Sequence, residues 1–254
     1  MIIRAVAYEI NLFWLALGYF SRIPMPKSVV YNLENLNHAS RYFTLVGWLL
    51  GFLVVGIYYL SNQIFSVNIS IWLCMIASLL LTGAFHEDGL ADTADGLGGG
   101  FTREKKLSIM KDSRIGTYGA SALLMALIGK FILLQEINNL LIAIPVAYAL
   151  SRTLASILLF TMNTVSDSET EKPKPLAKAQ SSVDVIILLS TCLPIIFLLS
   201  GKALFLLIIL LISLGYASRY YFNKQLGGVT GDCLGATQQI AELSIYLLFI
   251  SQSI

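Results

Sequence analysis

The sequence predicts an all-α, polytopic membrane bundle of about seven spanning helices plus an N-terminal interfacial helix, all in one integral membrane domain. Three observations predict it. The 254 residues are 56% hydrophobic and 13% charged, with a mean hydropathy of +0.75. A water-soluble domain carries about 25% charged residues. The apolar residues also fall in long runs, and roughly 20 of them at 1.5 Å rise cross a ~30 Å hydrocarbon core. Finally, 13 of the 17 Lys and Arg residues fall in or beside alternate connections between these runs.

Taken in order, Arg4 precedes an apolar stretch, residues 5–20, that has the outline of a signal peptide. Glu9 and Asn11 interrupt it and no small-x-small cleavage site follows, so the expectation is an uncleaved helix at the interface or partly inserted. Ser21-Arg22-Ile23-Pro24-Met25-Pro26 reads as a rigid turn into the bundle. Spans are expected at 43–60, 64–85, 115–134, 140–161, 183–200, 203–222 and 236–251. The connections 21–42, 86–114, 162–182 and 223–235 are long and hold those 13 cations or, for Arg219, lie beside one, whereas the opposite side holds only Lys202. The positive-inside rule then places the four long loops in the cytoplasm. Asp167 to Lys178 reads as a solvated, partly flexible connector.

A net charge of +2 gives no reason to expect nucleic acid. Cys74, Cys192 and Cys233 lie far apart, with neither zinc nor disulfide spacing.

Chemistry concentrates in Phe85-His86-Glu87-Asp88-Gly89-Leu90-Ala91-Asp92-Thr93-Ala94-Asp95-Gly96. Asp88, Asp92 and Asp95 stand at i, i+4 and i+7, one face of a helix. Like charges at that spacing repel, and the edge of a membrane span adds a desolvation cost. A divalent cation offsets both, and hard carboxylates without a His/Cys set suit Mg²⁺. The plain alternative is a solvated helix end. Glu87 points to another face and could pair with a cation. His86 is a carboxylate orienter, a substrate contact or a structural histidine.

Lys111 and Arg114 stand one helical turn apart where a span should begin, with Ser113 as a candidate cap. Cations suit a helix start poorly. They serve either an anionic ligand there or as anchors at the headgroups. Gly227-Gly228-Val229-Thr230-Gly231-Asp232 is either a phosphate-approaching turn, with Asp232 as metal ligand or base, or a flexible loop that Asp232 caps. Arg152, inside a span, needs a phosphate or an internal partner. Lys130 is expected to snorkel to the opposite surface and Glu242 to meet a bundle cation. Arg41 is a phosphate contact or an anchor.

The segment His86 to Gly96 resembles the signature of the cobalamin synthases, the adenosylcobinamide-GDP ribazoletransferases. Lys111 to Gly119 and Gly227 to Ala236 resemble that family's second and third motifs, and Ser21 to Pro26 and Arg41 to Gly51 also fit. Glu87 stands where relatives often carry an uncharged residue. The resemblance implies a Mg²⁺-dependent, multi-pass enzyme of the cell membrane. Its partners would be adenosylcobinamide-GDP, α-ribazole or its 5′-phosphate, and the lipid bilayer. Asp88 and Asp92 would hold the metal, and Asp95 would complete the site or accept a proton. Lys111 and Arg114 would stabilise phosphate, with Arg41, His86, Arg152, Gly228 and Asp232 as substrate contacts. Two rival readings are a CDP-alcohol phosphotransferase-like enzyme, whose Ala-Arg pair and longer aspartate spacing are absent, and a cation transporter. The transporter lacks acidic counterparts across the membrane except Glu136 and Glu242.

Overall fold

The computed structural model describes residues 2–165 and 180–252. The connector expected at 167–178 lies outside the described residues. Among them there are helices and turns, and the sole β-type pairing is a parallel bridge between Thr164 and Val229.

The N-terminal helix α1 (Ile2–Phe20) buries Leu12, Leu15, Ala16, Leu17 and Phe20. It packs on α2 (Leu33–Ala39) and α3 (Phe43–Ser61), so the predicted interfacial helix docks on the bundle. The Ser21 turn is pinned at both ends: the Ser21 hydroxyl donates to the Leu17 carbonyl at 2.7 Å, and the Arg22 amide donates to Leu81 at 2.7 Å.

At the centre, α3 lies against α8 (Leu140–Thr161). The small-xxx-small pair Gly47 and Gly51 makes this approach close. A Cβ at Gly47 would collide with the Tyr148 carbonyl, and one at Gly51 would come 2.6 Å from the Pro145 Cα. α8 is buried nearly all round, and α12 (Gly231–Ser251) packs on it from the other side. By contrast α7 (Thr117–Glu136) and α11 (Gly201–Leu226) bury only 17% and 11% of their apolar windows, a surface suited to lipid tails.

Among the described residues five helices, or six with one bent pair, are long and apolar enough to span. The multi-pass expectation holds, but two of the seven expected spans change. The span expected at 64–85 is α4 (Val67–Thr82), 16 residues or about 24 Å, too short alone for a ~30 Å core. At Gly83 (φ +66°) and Ala84 (φ +55°) the chain turns by 84° into α5 (Phe85–Gly99). Left-handed backbone is natural for glycine and strained for alanine, so the bend is held by its surroundings. The span expected at 183–200 breaks into α9 (Ser182–Ser190) and α10 (Ile195–Leu198), with Pro194 at the start of α10. Trp48 donates to the Thr191 carbonyl at 3.0 Å, satisfying backbone that the break exposes.

The long connections gather at one end of the bundle. Asn163 meets Val229, Arg103 reaches the Leu226 carbonyl, and Arg41 binds Asp184. Among the described residues, the cations of the first, second and fourth connections therefore lie at that end.

Candidate active site

The site is built on α5, the short helix after the bend. Its first contact is with α12. A Cβ at Gly89 would lie 2.8 Å from the Asp232 carbonyl oxygen, and Gly235 lies against His86 and Gly89. These two glycines let the helix backbones touch and bring the third motif onto the first. Asp232 is in the first turn of α12, capped by Thr230, whose hydroxyl accepts from the Cys233 amide at 3.2 Å.

Asp88 is exposed and Asp92 half-buried, one turn apart on α5. Asp95 is buried and turned to another task. Its carboxylate accepts from the Gly116 amide at 2.7 Å and the Gly119 amide at 2.8 Å. It thereby caps the N-terminus of α7 from a neighbouring helix. This explains both glycines, since a Cβ at either would strike the carboxylate. Among the described residues no three His, Cys, Asp or Glu side chains are grouped to hold a metal. Of the three aspartates expected to share a metal, Asp95 is thus engaged by two backbone amides, while Asp88 and Asp92 stand one turn apart at the more open side of α5. A pair still fits Mg²⁺, which keeps several waters and takes one or two carboxylates plus substrate phosphate oxygens. Replacing Asp95 by Ala removes two charge-assisted bonds and should cost roughly 2–4 kcal/mol. Amide exchange at Gly116 and Gly119 should rise with it. Unchanged protection there would refute the cap.

The second motif also differs from expectation. α6 (Arg103–Met110) ends just before Lys111, and α7 begins at Thr117. Lys111 and Arg114 therefore flank a loop rather than share a helical turn, and Asp95 takes the capping role suggested for Ser113. Arg114 is 87% exposed and ion-paired with Asp112 at 2.6 Å. The Arg114 hydrogen bonds hold the Asp112 carboxyl down at about 2. Lys111 is exposed. α6 is fastened by the Arg103 Nε donating to Leu226 at 2.7 Å and by Lys106 donating to Gln225 at 2.5 Å.

Two other expected contacts fall elsewhere. Arg41 is buried, with Nε donating to Asp184 at 2.7 Å and Nη1 to Glu9 at 3.0 Å. Tyr42 also donates to Glu9, and Ser181 and His38 complete the surroundings of Asp184. This network ties α1, α2 and the turn before α3 to α9, so Arg41 is engaged by two carboxylates in this arrangement. Gly228 is packed rather than open: a Cβ there would strike the Asn163 carbonyl, which accepts from the Val229 amide at 2.9 Å. Gly227, at φ +73°, closes α11. The glycines of the third motif are thus explained by a chain reversal, not a phosphate cradle.

Arg152 and His86 do come together. Arg152 is 1% exposed, its Nη1 donating to the Tyr148 carbonyl at 3.0 Å and its guanidinium 4.9 Å from the Tyr148 ring centre. His86 stacks on Phe20 at 5.4 Å. Both line one narrow cavity of about 30 Å³ between α1, α3, α5, α8 and α12.

A buried polar chain also links α5, α12 and α7, and of it the sequence marks only Glu242 as the partner of a bundle cation. Glu87 accepts from Gln239 at 3.1 Å, Gln239 donates to Gln238, and Gln238 donates to Glu242 at 2.8 Å. Glu242 pairs with Lys130 at 2.5 Å. Glu242 meets a bundle cation as expected. Lys130, however, is buried under the Tyr148 ring and does not snorkel. Gln238 and Gln239 inside an apolar span were the signal: polar side chains at that depth face the bundle interior.

The family model for cobalamin-5-phosphate synthase matches residues 12–250. A Vibrio cholerae adenosylcobinamide-GDP ribazoletransferase is 50% identical over 247 residues, covering 96% of this chain and 95% of the relative. The Vibrio vulnificus enzyme of that name is 52% identical, covering 96% and 97%. One from Shewanella woodyi is 46% identical, covering 97% and 98%. No solved structure matches.

Proposed function

This chain belongs to the cobalamin-5-phosphate synthase family, and on that premise we propose that it is a membrane transferase joining adenosylcobinamide-GDP to α-ribazole or its 5′-phosphate. The observation that carries the reading is the match along nearly the whole chain to relatives bearing that activity in their names. The acidic pair on α5 supplies matching chemistry.

In this reaction the acceptor hydroxyl oxygen attacks the cobinamide-linked phosphorus. A new P–O bond forms as the bond to the GMP phosphate breaks, and its electron pair leaves with GMP. Phosphoryl transfer of this kind depends on positioning and on neutralising charge. Asp88 and Asp92 would hold Mg²⁺, which when bound neutralises the diphosphate oxygens. Lys111 and Arg114, on their exposed loop, bind the nucleotide phosphates, and Arg114 exchanges Asp112 for phosphate as it does so. Asp232, carried against α5 by the Gly89–Gly235 contact, accepts the hydroxyl proton. Asp95 holds α7 and the loop before it. The basic end of the bundle supports a site facing the cytoplasm of the cell membrane.

The test is GMP release by purified protein. Release should need both substrates and Mg²⁺, and chelation should stop it. Release without an acceptor would indicate hydrolysis, and no release with both substrates would refute the reading.

A further inference from the structure

The cavity beside His86 has a composition that neither the metal pair nor the nucleotide phosphates account for. Four aromatic rings line it, those of Tyr19, Phe20, Phe43 and Phe85. Phe20 packs edge-on against Phe43 at 4.3 Å and parallel to His86 at 5.4 Å, an interplanar angle of 17°. Such a wall suits a flat, apolar ring.

Its polar side chains are those of Tyr19, His86, Arg152 and Ser156. The Ser156 hydroxyl accepts from Gln180 at 3.2 Å, and the Arg152 Nη1 is bound to Tyr148. The Arg152 Nε–H is different: among the described residues it is buried with no acceptor. A buried donor left unpaired costs free energy, and a ligand acceptor atom would recover it. The site thus asks for a flat aromatic body carrying one acceptor. A guanine ring, with several donors and acceptors, would leave most of them unpaired here. A diphosphate would want more cations, and a corrin is far too large.

Resting on the proposed transferase reading, we infer that this cavity holds the benzimidazole base of the α-ribazole acceptor, with the Arg152 Nε–H donating to the ring nitrogen not bonded to ribose. The position fits transfer. Phe85, 40% exposed and the most open of the four rings, stands at i relative to Asp88 at i+3 and Asp92 at i+7. A base inserted past Phe85 leaves its ribose on the face of α5 that carries the acidic pair. At about 30 Å³ the cavity holds a water or two. Entry therefore requires Phe85 and Tyr19 to swing outward.

The experiment is equilibrium dialysis of the purified protein in lipid nanodiscs against α-ribazole and against its indole analogue, in which that nitrogen is CH. Wild type should bind α-ribazole about tenfold or more tightly than the analogue. Arg152→Met should bind the two alike. Ala155 lines the cavity from α8; Ala155→Met should weaken α-ribazole about tenfold and change adenosylcobinamide-GDP binding less than about twofold. Ala155→Met keeps the test open if loss of Arg152 unfolds the protein. Equal binding of the two ribosides by wild type would overturn the assignment. So would an Ala155→Met variant that loses the corrinoid nucleotide instead. GMP release is read separately: discrimination without release removes the reaction and keeps the pocket, and release without discrimination does the reverse.

Discussion

Asp92→Asn should lower kcat by roughly 10²–10³-fold and raise the Mg²⁺ concentration needed for half-maximal rate. Asn keeps the size of the side chain and removes the charge. Asp92 is half-buried on α5, one turn from the exposed Asp88. Asp95 is committed to the Gly116 and Gly119 amides and Glu87 is buried against Gln239, so neither of the other α5 carboxylates is placed to compensate. Asp88→Asn should act in the same direction. Thermal stability should change little in Asp88→Asn, because Asp88 is exposed and removing one of two neighbouring like charges relieves repulsion. The contrast with Asp95→Ala separates the roles: that variant should lose stability first and activity only through it. An Asp92→Asn protein with wild-type turnover and an unchanged Mg²⁺ midpoint would remove the acidic pair from the mechanism.

The second large effect is on stability. Lys130→Met leaves Glu242, 1% exposed, as a buried carboxylate without its cation. Breaking a buried pair from one side costs about 3–5 kcal/mol. Tyr246 and Gln238 still donate to Glu242 and soften the loss. The double variant Lys130→Met/Glu242→Leu should recover most of the stability, because a buried pair is worth little against apolar residues of similar size. The measurement is the thermal midpoint of each purified protein. If the double variant is no better than Lys130→Met, the pair is not the source of the loss. Through Gln238 and Gln239 the same chain reaches Glu87 on α5, so the single variant should also disturb the motif helix.

The break at Gly83 and Ala84 shows why spans were harder to read than helices. Val67 to Gly99 is long enough in sequence to be read as a span with a cap, and hydropathy does not report direction. The 84° turn depends on two left-handed residues and on Arg22, whose side chain occupies the space a Cβ at Gly83 would need. Likewise Pro194 marked a weak point, but the broken backbone is stable only because Trp48 reaches Thr191 from another helix.

The sequence by itself determined the membrane character, the gathering of cations at one end and the aspartate face of α5. Hydrophobicity, charge and helical period are properties of residue order, and they survive without partners. The family motifs were legible for the same reason. Only the tertiary structure decided what each side chain is spent on. Asp95 looks like Asp88 and Asp92 in the sequence, yet two amides from α7 claim it. Arg41 looks like a phosphate contact until Asp184, 143 residues away, takes it. A charged group binds whichever partner the packing brings within about 3 Å, and that partner lies on another helix.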